Sequence, residues 1–253
     1  MKVIETVSAF KSLRQEWRAQ NLTLGFVPTM GALHQGHLSL LERARKENAR
    51  SAVSLFVNPT QFNDPKDFEK YPQPRERDLM LLERAGVSAV FVPAPQEIYH
   101  DGYRFTVTES MLSAILCGPG RPGHFNGVLT VVLKLLNIAG AEHAYFGEKD
   151  FQQLKMIQDL AAAFFIDTKI VACPTVRERD GLAMSSRNMR LTPEQRQLAP
   201  QLFRILTDAP TPAEATQRMN AAGFKVEYVE EHWGRRFVAA TLGEVRLIDN
   251  VAL

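Results

Sequence analysis

Two cysteines in 253 residues cannot build a disulfide framework, and the spacing of Cys117 and Cys173 matches no zinc motif. They read as reduced, mostly buried thiols. Charge of one sign is missing as well. Thirty Lys and Arg against 28 Asp and Glu leave a net charge of +2, which supplies no field for gripping a polyanion. No nucleic-acid partner is expected. No apolar run approaches the roughly 18 residues of a membrane span. The opening MKVIETVSAFKSLRQEW is broken by Glu5, Lys11 and Arg14, unlike a signal peptide. No membrane association is expected, and the chain reads as cytoplasmic. Internal repeats and low-complexity segments are absent. So is a G-x-x-x-x-G-K-[ST] phosphate loop. Gly118 to Gly123 fits G-x-G-x-x-G in letter only, because Pro119 and Pro122 oppose the strand-turn-helix context that motif needs.

What is present is a steady alternation of short apolar runs and helical patterns from residue 22 to about 175. Strands are expected at Leu22–Val27, Ala52–Val57, Val87–Val92, Ala141–Phe146 and Ile166–Ala172. Between them, helices are expected at His37–Asn48, Pro74–Ala85, Asn126–Ile138 and Asp150–Phe164, the last capped by Asp150. This alternation predicts an α/β fold with a parallel sheet covered by helices on both faces, occupying residues 1–176. After residue 190 the texture changes. Thr192-Pro193 and Thr211-Pro212 open helices, and short strands follow at Lys225–Val229, Phe237–Thr241 and Val245–Ile248. A smaller C-terminal domain of helices and antiparallel strands is expected over 177–253.

Ligands bind beyond the carboxyl ends of strands in such sheets, and the chemically unusual residues fall there. His34-Gln35-Gly36-His37 lies where the first buried strand turns into its helix, a natural phosphate site because helix starts offer unpaired N–H groups. A zinc site is the competing reading, although no carboxylate or cysteine lies nearby in sequence to complete it. Phe146-Gly147-Glu148-Lys149-Asp150 occupies another strand end. Lys149 there suits a phosphate, and Asp150 suits a helix cap or a ribose hydroxyl; a solvated charge cluster is the plain alternative. Met184-Ser185-Ser186-Arg187-Asn188 joins two hydroxyls to a guanidinium able to reach over triphosphate oxygens. Asn58 and Gln61 offer donors and acceptors for a hydroxyl-bearing substrate, unless Asn58-Pro59 merely forms a turn.

Taken in order, residues 28–37 (PTMGALHQGH), 56–62 (FVNPTQF), 121–125 (RPGHF), 145–154 (YFGEKDFQQL) and 180–188 (DGLAMSSRN) resemble the pantoate–β-alanine ligase family. That family is one of the Rossmann-like nucleotidyltransferase folds carrying the His-x-Gly-His signature. The resemblance implies condensation of (R)-pantoate with β-alanine, ATP being split to AMP and pyrophosphate through a pantoyl-adenylate. It implies an ATP site of Met30, Gly31, Ala32, Leu33, His34, Gln35, Gly36, His37, Gly147, Glu148, Lys149, Asp150, Val176, Met184, Ser185, Ser186 and Arg187. Catalytic roles are implied for His37, His34, Lys149 and Arg187, and pantoate binding for Gln61, also near β-alanine, and Gln153, to which Asn58 is added. Magnesium is implied with the triphosphate, with no metal site in the protein and no tightly bound organic cofactor. A homodimer is implied too. The polar stretch 63–72 after Gln61 suggests a mobile lid. The chain is short for the family around Glu230 to Arg236, which puts the C-terminal sheet in doubt.

Overall fold

Successive side chains of a strand face opposite sides of its sheet, so a strand apolar at every position must be covered twice. The computed structural model describes residues 1–63, 65–69 and 71–253, without the side chains of Pro65 and Lys66. Strands β1 (Lys2–Ile4), β2 (Leu24–Thr29), β3 (Arg50–Leu55), β4 (Ala89–Phe91), β5 (His143–Gly147) and β6 (Lys169–Cys173) form one parallel sheet in the order β1-β4-β3-β2-β5-β6. Between them run helices α1 (Val7–Ala19), α2 (Gln35–Glu47), α3 (Pro65–Glu69), α4 (Arg75–Arg84), α5 (Pro95–Ile98), α6 (His124–Ala139) and α7 (Phe151–Ala163).

Phe26, Ala52, Phe91 and Ala144 turn toward the core built with α1, α6 and α7, where Phe10, Trp17, Leu129 and Ile157 are buried. Their neighbours Val27, Val53, Val90 and Tyr145 turn the other way, onto Leu41, Ala44 and Leu82 of α2 and α4. The two-sided burial that the continuous apolar runs predict is met residue by residue. Each expected strand and helix between residues 22 and 173 is present with its ends shifted by a few positions. One expected detail fails: Asp150 stands at the N-cap of α7, but its side chain makes no capping bond. β1 and α1 were not foreseen. α1 is nonetheless ordinary, with Thr6 capping it through Ala9 N–H and Phe10, Leu13 and Trp17 along its buried stripe.

The C-terminal part packs α8 (Pro193–Leu198), α9 (Gln201–Asp208) and α10 (Pro212–Ala221) with an antiparallel sheet of β7 (Lys225–His232), β8 (Arg235–Leu242) and β9 (Val245–Ala252) around its own core. Thr192 and Gln195 form a capping box at α8. Pro200, which has no N–H to donate, separates α8 from the unforeseen α9. The doubt raised by the compressed stretch at 230–236 is removed. His232 pairs directly with Arg235, and Trp233 and Gly234 bridge them with φ of 51° and 67°, the double left-handed turn that suits a twisted hairpin. The sheet is whole. Among the described residues no helix is long and apolar enough to cross a membrane.

The order in which strands are added across the large sheet reverses beside β2: β3 lies on one side of it and β5 on the other. The crevice beyond the carboxyl ends of β2 and β5 is therefore the topological switch point, where open α/β sheets hold ligands.

Candidate active site

A cleft of about 260 Å³ opens at that crevice. Its floor is the start of α2. His34 is the N-cap and His37 the third helical residue, and they cap one another: His37 Nδ1 accepts from His34 N–H at 3.3 Å, and His34 Nδ1 accepts from Gly36 N–H at 3.1 Å. The two rings lie 4.1 Å apart. Because each Nδ1 spends its lone pair on a backbone N–H, each neutral ring carries its proton on Nε2. Burial and then Lys149 lower His34 to about 4. Burial, His34 and Lys149 lower His37 to about 3. At neutral pH the pair is thus two uncharged N–H donors. The same tautomer argues against zinc, since a protonated Nε2 has no lone pair to give a metal. Gly36 is required between them, because a Cβ there would lie 2.9 Å from the His34 ring.

The loop leading into this helix is set from a distance. Asp78, buried in the first turn of α4, accepts from Ala32 N–H at 2.7 Å and Leu33 N–H at 2.9 Å. Gly31 has φ +80°, and a Cβ on it would meet the Asp78 carboxylate at 2.9 Å. Met30 lines the cleft, whereas Gly31, Ala32, Leu33 and Gln35 stand outside its wall, Leu33 being core and Gln35 exposed. Sequence reasoning grouped all of them with the nucleotide and missed Asp78.

The next wall follows β3. Asn58 is buried, and its amide is fully engaged: Nδ2 donates to Gln61 Oε1 and Gly127 O, and Oδ1 accepts from the Tyr99 and Thr60 hydroxyls. It has nothing left for a substrate and instead orients Gln61, whose Nε2 points toward Met30 Sδ at 3.1 Å. The turn bearing Gln61 rests on bare helix backbone. A Cβ at Gly127 would lie 2.4 Å from the Thr60 carbonyl oxygen and 2.7 Å from Gln61 N. His124 at the start of α6 completes the support, bonding Gln61 O through Nδ1 at 2.8 Å and Arg121 through Nε2 at 2.9 Å. Burial, with Arg121 beside it, lowers His124 to about 3. Arg121 and His124 were quoted in a motif yet given no role from sequence; both line the cleft.

After β5 come Gly147, Lys149, Asp150 and Gln153, all on the cleft wall. Glu148 turns away toward Arg235 at 3.7 Å. Asn250 of β9, also missed, donates from Nδ2 to the carbonyls of Glu148 and Lys149 at 2.9 and 3.0 Å and so fixes the turn that carries Lys149. Gln152 is spent on Leu112, Ile115 and Cys117 backbone, while its neighbour Gln153 faces the cleft.

Val176, Met184, Ser185, Ser186 and Arg187 close the far side. Met184 N–H bonds Val176 O, and Arg177 bridges Ala183, so this segment folds back as a short hairpin over the sheet edge. Arg187 pairs with Asp67 of α3 at 3.2 Å, and Tyr71 meets Ser186 at 3.5 Å. The stretch expected to be a lid thus touches the cleft mouth, although its residues 64 and 70 lie outside the described residues.

The model of one family, pantoate-beta-alanine ligase, matches residues 2–252. The chain is 55% identical over 252 residues to the pantothenate synthetase of Bdellovibrio bacteriovorus, covering 100% of this chain and 99% of that one. With the Legionella pneumophila (strain Corby) pantothenate synthetase it shares 51% over 233 residues, 92% of each. A crystal structure of the Francisella tularensis pantoate-beta-alanine ligase, complexed with beta-gamma ATP and beta-alanine, superposes with a TM-score of 0.95 at 43% identity, covering 100% of this chain and 97% of that one. A crystal structure of the pantothenate synthetase from Thermus thermophilus gives 0.89 at 40%, covering 100% and 99%. On sequence and fold alike, this chain belongs to the pantoate–β-alanine ligase family.

Proposed function

We propose that the cleft joins (R)-pantoate to β-alanine in two steps, with a pantoyl-adenylate between them. The supporting observation is the convergence of neutral donors, cations and amides on one crevice: His34 and His37, Lys149 and Arg187, Gln61 and Gln153 all line it. In the first step a carboxylate oxygen of pantoate attacks the α-phosphorus of ATP, and the bond to pyrophosphate breaks. No protein nucleophile is required, so catalysis consists of positioning and stabilisation of charge. His34 and His37 line the cleft beside the positive end of α2, and their Nε2–H groups would donate to phosphate oxygens there. Lys149 and Arg187 add charge, and Ser185 and Ser186 add hydroxyls. Adenine is assigned to the Val176 side, where the buried Thr175 hydroxyl has no hydrogen-bond partner among the described residues.

Pantoate combines two methyl groups with hydroxyls and a carboxylate, and the opposite wall has the same split character. Val128, Val131 and Val132 of α6 present an apolar face beside the amides of Gln61 and Gln153. In the second step the neutral β-alanine amine attacks the acyl carbon, a C–N bond forms, the nitrogen gives up a proton to solvent, and AMP leaves with the electron pair of the broken C–O bond. Water must be excluded meanwhile, and residues 63–72 are suited to that by their contacts with Ser186, Arg187 and Arg190. Asp150 is the cleft carboxylate able to meet a magnesium ion brought by the triphosphate, in keeping with that ion's preference for phosphate and carboxylate oxygens. Residues 1–176 would then carry the substrates and 177–253 form the smaller domain, in a cytoplasmic homodimer.

Isotope exchange tests the two-step route. Pantoate alone should support exchange between ATP and labelled pyrophosphate, with β-alanine needed only for AMP release. Exchange that demands both acids would replace the adenylate with a concerted reaction.

A further inference from the structure

The cations around the cleft are not equivalent. Lys149 has Asp150 at 4.0 Å, Arg187 and Arg190 share Asp67, and Arg246 has Glu227 at 2.9 Å. Arg121 alone of these has no carboxylate within 4.0 Å among the described residues; its hydrogen bond goes to a neutral imidazole, His124 Nε2. That bond uses one of its five N–H groups. Arg121 also stands at a junction. It borders the 260 Å³ cleft, a cavity of about 520 Å³ reaching to β9, and a small recess beside Cys117. Burial, Arg187 and Arg246 lower it to about 10, so it stays charged at neutral pH and any anion arriving there relieves the crowding of like charge. The 16-residue helix α6 begins three positions later, and its N-cap Gly123 provides no side-chain cap. Two positive features thus meet at one point, where among the described residues no carboxylate lies within 4.0 Å of the guanidinium and Asp150 acts on it only from further away.

Through His124 that point is tied to Gln61: Arg121 to imidazole at 2.9 Å, imidazole to Gln61 O at 2.8 Å. We propose that Arg121 binds the carboxylate of the amine substrate, holding β-alanine by its acid end so that its amine faces the acyl group at Gln61 and Gln153. This inference rests on the two-step ligase reading. It assigns the acid end of β-alanine to a cation distinct from those facing the triphosphate, and it explains why the guanidinium is anchored to an uncharged partner. A carboxylate anchor would have competed with the substrate.

Full-length Arg121→Ala and Arg121→Lys, assayed in both half-reactions, test it. In Arg121→Ala the pantoate-dependent ATP–pyrophosphate exchange should fall by a far smaller factor than the β-alanine-dependent step. The KM for β-alanine should rise roughly 10- to 100-fold, the span expected for losing a charge-assisted pair. Arg121→Lys should recover part of that loss. β-Alaninamide, which lacks the carboxylate charge, should be a poor substrate of the wild type, and its KM should be unchanged by Arg121→Ala. Parallel loss of both amines would mark Arg121 as merely structural and overturn the proposal. A rise in KM for ATP with weakened exchange would place Arg121 on the triphosphate and overturn it equally. Absence of exchange in the wild type would instead bring down the two-step reading, a result distinguishable from either.

Discussion

The large sheet reaches the cleft with side chains from the loops at its carboxyl edge: His34 and His37 after β2, Gln61 after β3, Lys149 and Gln153 after β5. The small sheet acts on it indirectly, through side chains that hold the loops in place. Asn250 of β9 holds two carbonyls of the Lys149 turn, and Asp249 beside it takes both arms of Arg177 at 2.6 and 3.0 Å, below the hairpin that presents Arg187. One region supplies chemistry and the other supplies posture. Substitutions on the two sides should therefore fail differently.

The steepest contrast lies on the large-sheet side. His37→Ala should slow pantoate-dependent exchange on the order of 10²-fold or more, as loss of a donor to developing phosphate charge does. An unchanged exchange rate would remove His37 from the chemistry. Asn250→Ala should be milder, cutting kcat/KM for ATP about tenfold by freeing the Lys149 turn, with part of the loss in stability because two partly buried carbonyls lose their donor. Equal losses from the two variants would erase the distinction between the regions.

A further effect is one of linkage. His34, His37 and His124 are held neutral by burial, with pKa values of about 4, 3 and 3 against an ordinary 6.5. Below pH 6.5 the unfolded chain binds protons that the native cleft refuses until about pH 4. Stability must then fall as pH falls through that window. Urea midpoints measured between pH 6.5 and 4.5 should show this slope, and His124→Gln should flatten it. An unaltered slope in that variant would mean His124 is not among the titrating groups.

How much of this was written locally can be judged from particular residues. The runs around Val27, Val53 and Val90 announce two-sided burial in their own composition, and the His-x-Gly-His turn sits where any parallel sheet puts ligands. α9 was hidden because Pro200 divides a stretch that reads as one helix from Thr192. Asp78 and Asn250 bond backbone 45 or more positions away, so no local pattern can betray them. Asn58 and Gln61 look alike in a polar turn, yet one amide is saturated by its surroundings and the other is left open. The same holds for Gln152 and Gln153, which differ only in helical phase.

The seating of the Thr60–Gln61 turn on Gly127 limits how the family's substrate range could be redesigned in this chain. Even a single methyl group at 127 would wedge the turn off the helix, since the atoms it would meet are main chain and cannot rotate aside. On the proposed reading, room for a bulkier acid would have to be carved from the valine face one turn further along, leaving the amide assigned to the acid's polar end where it stands.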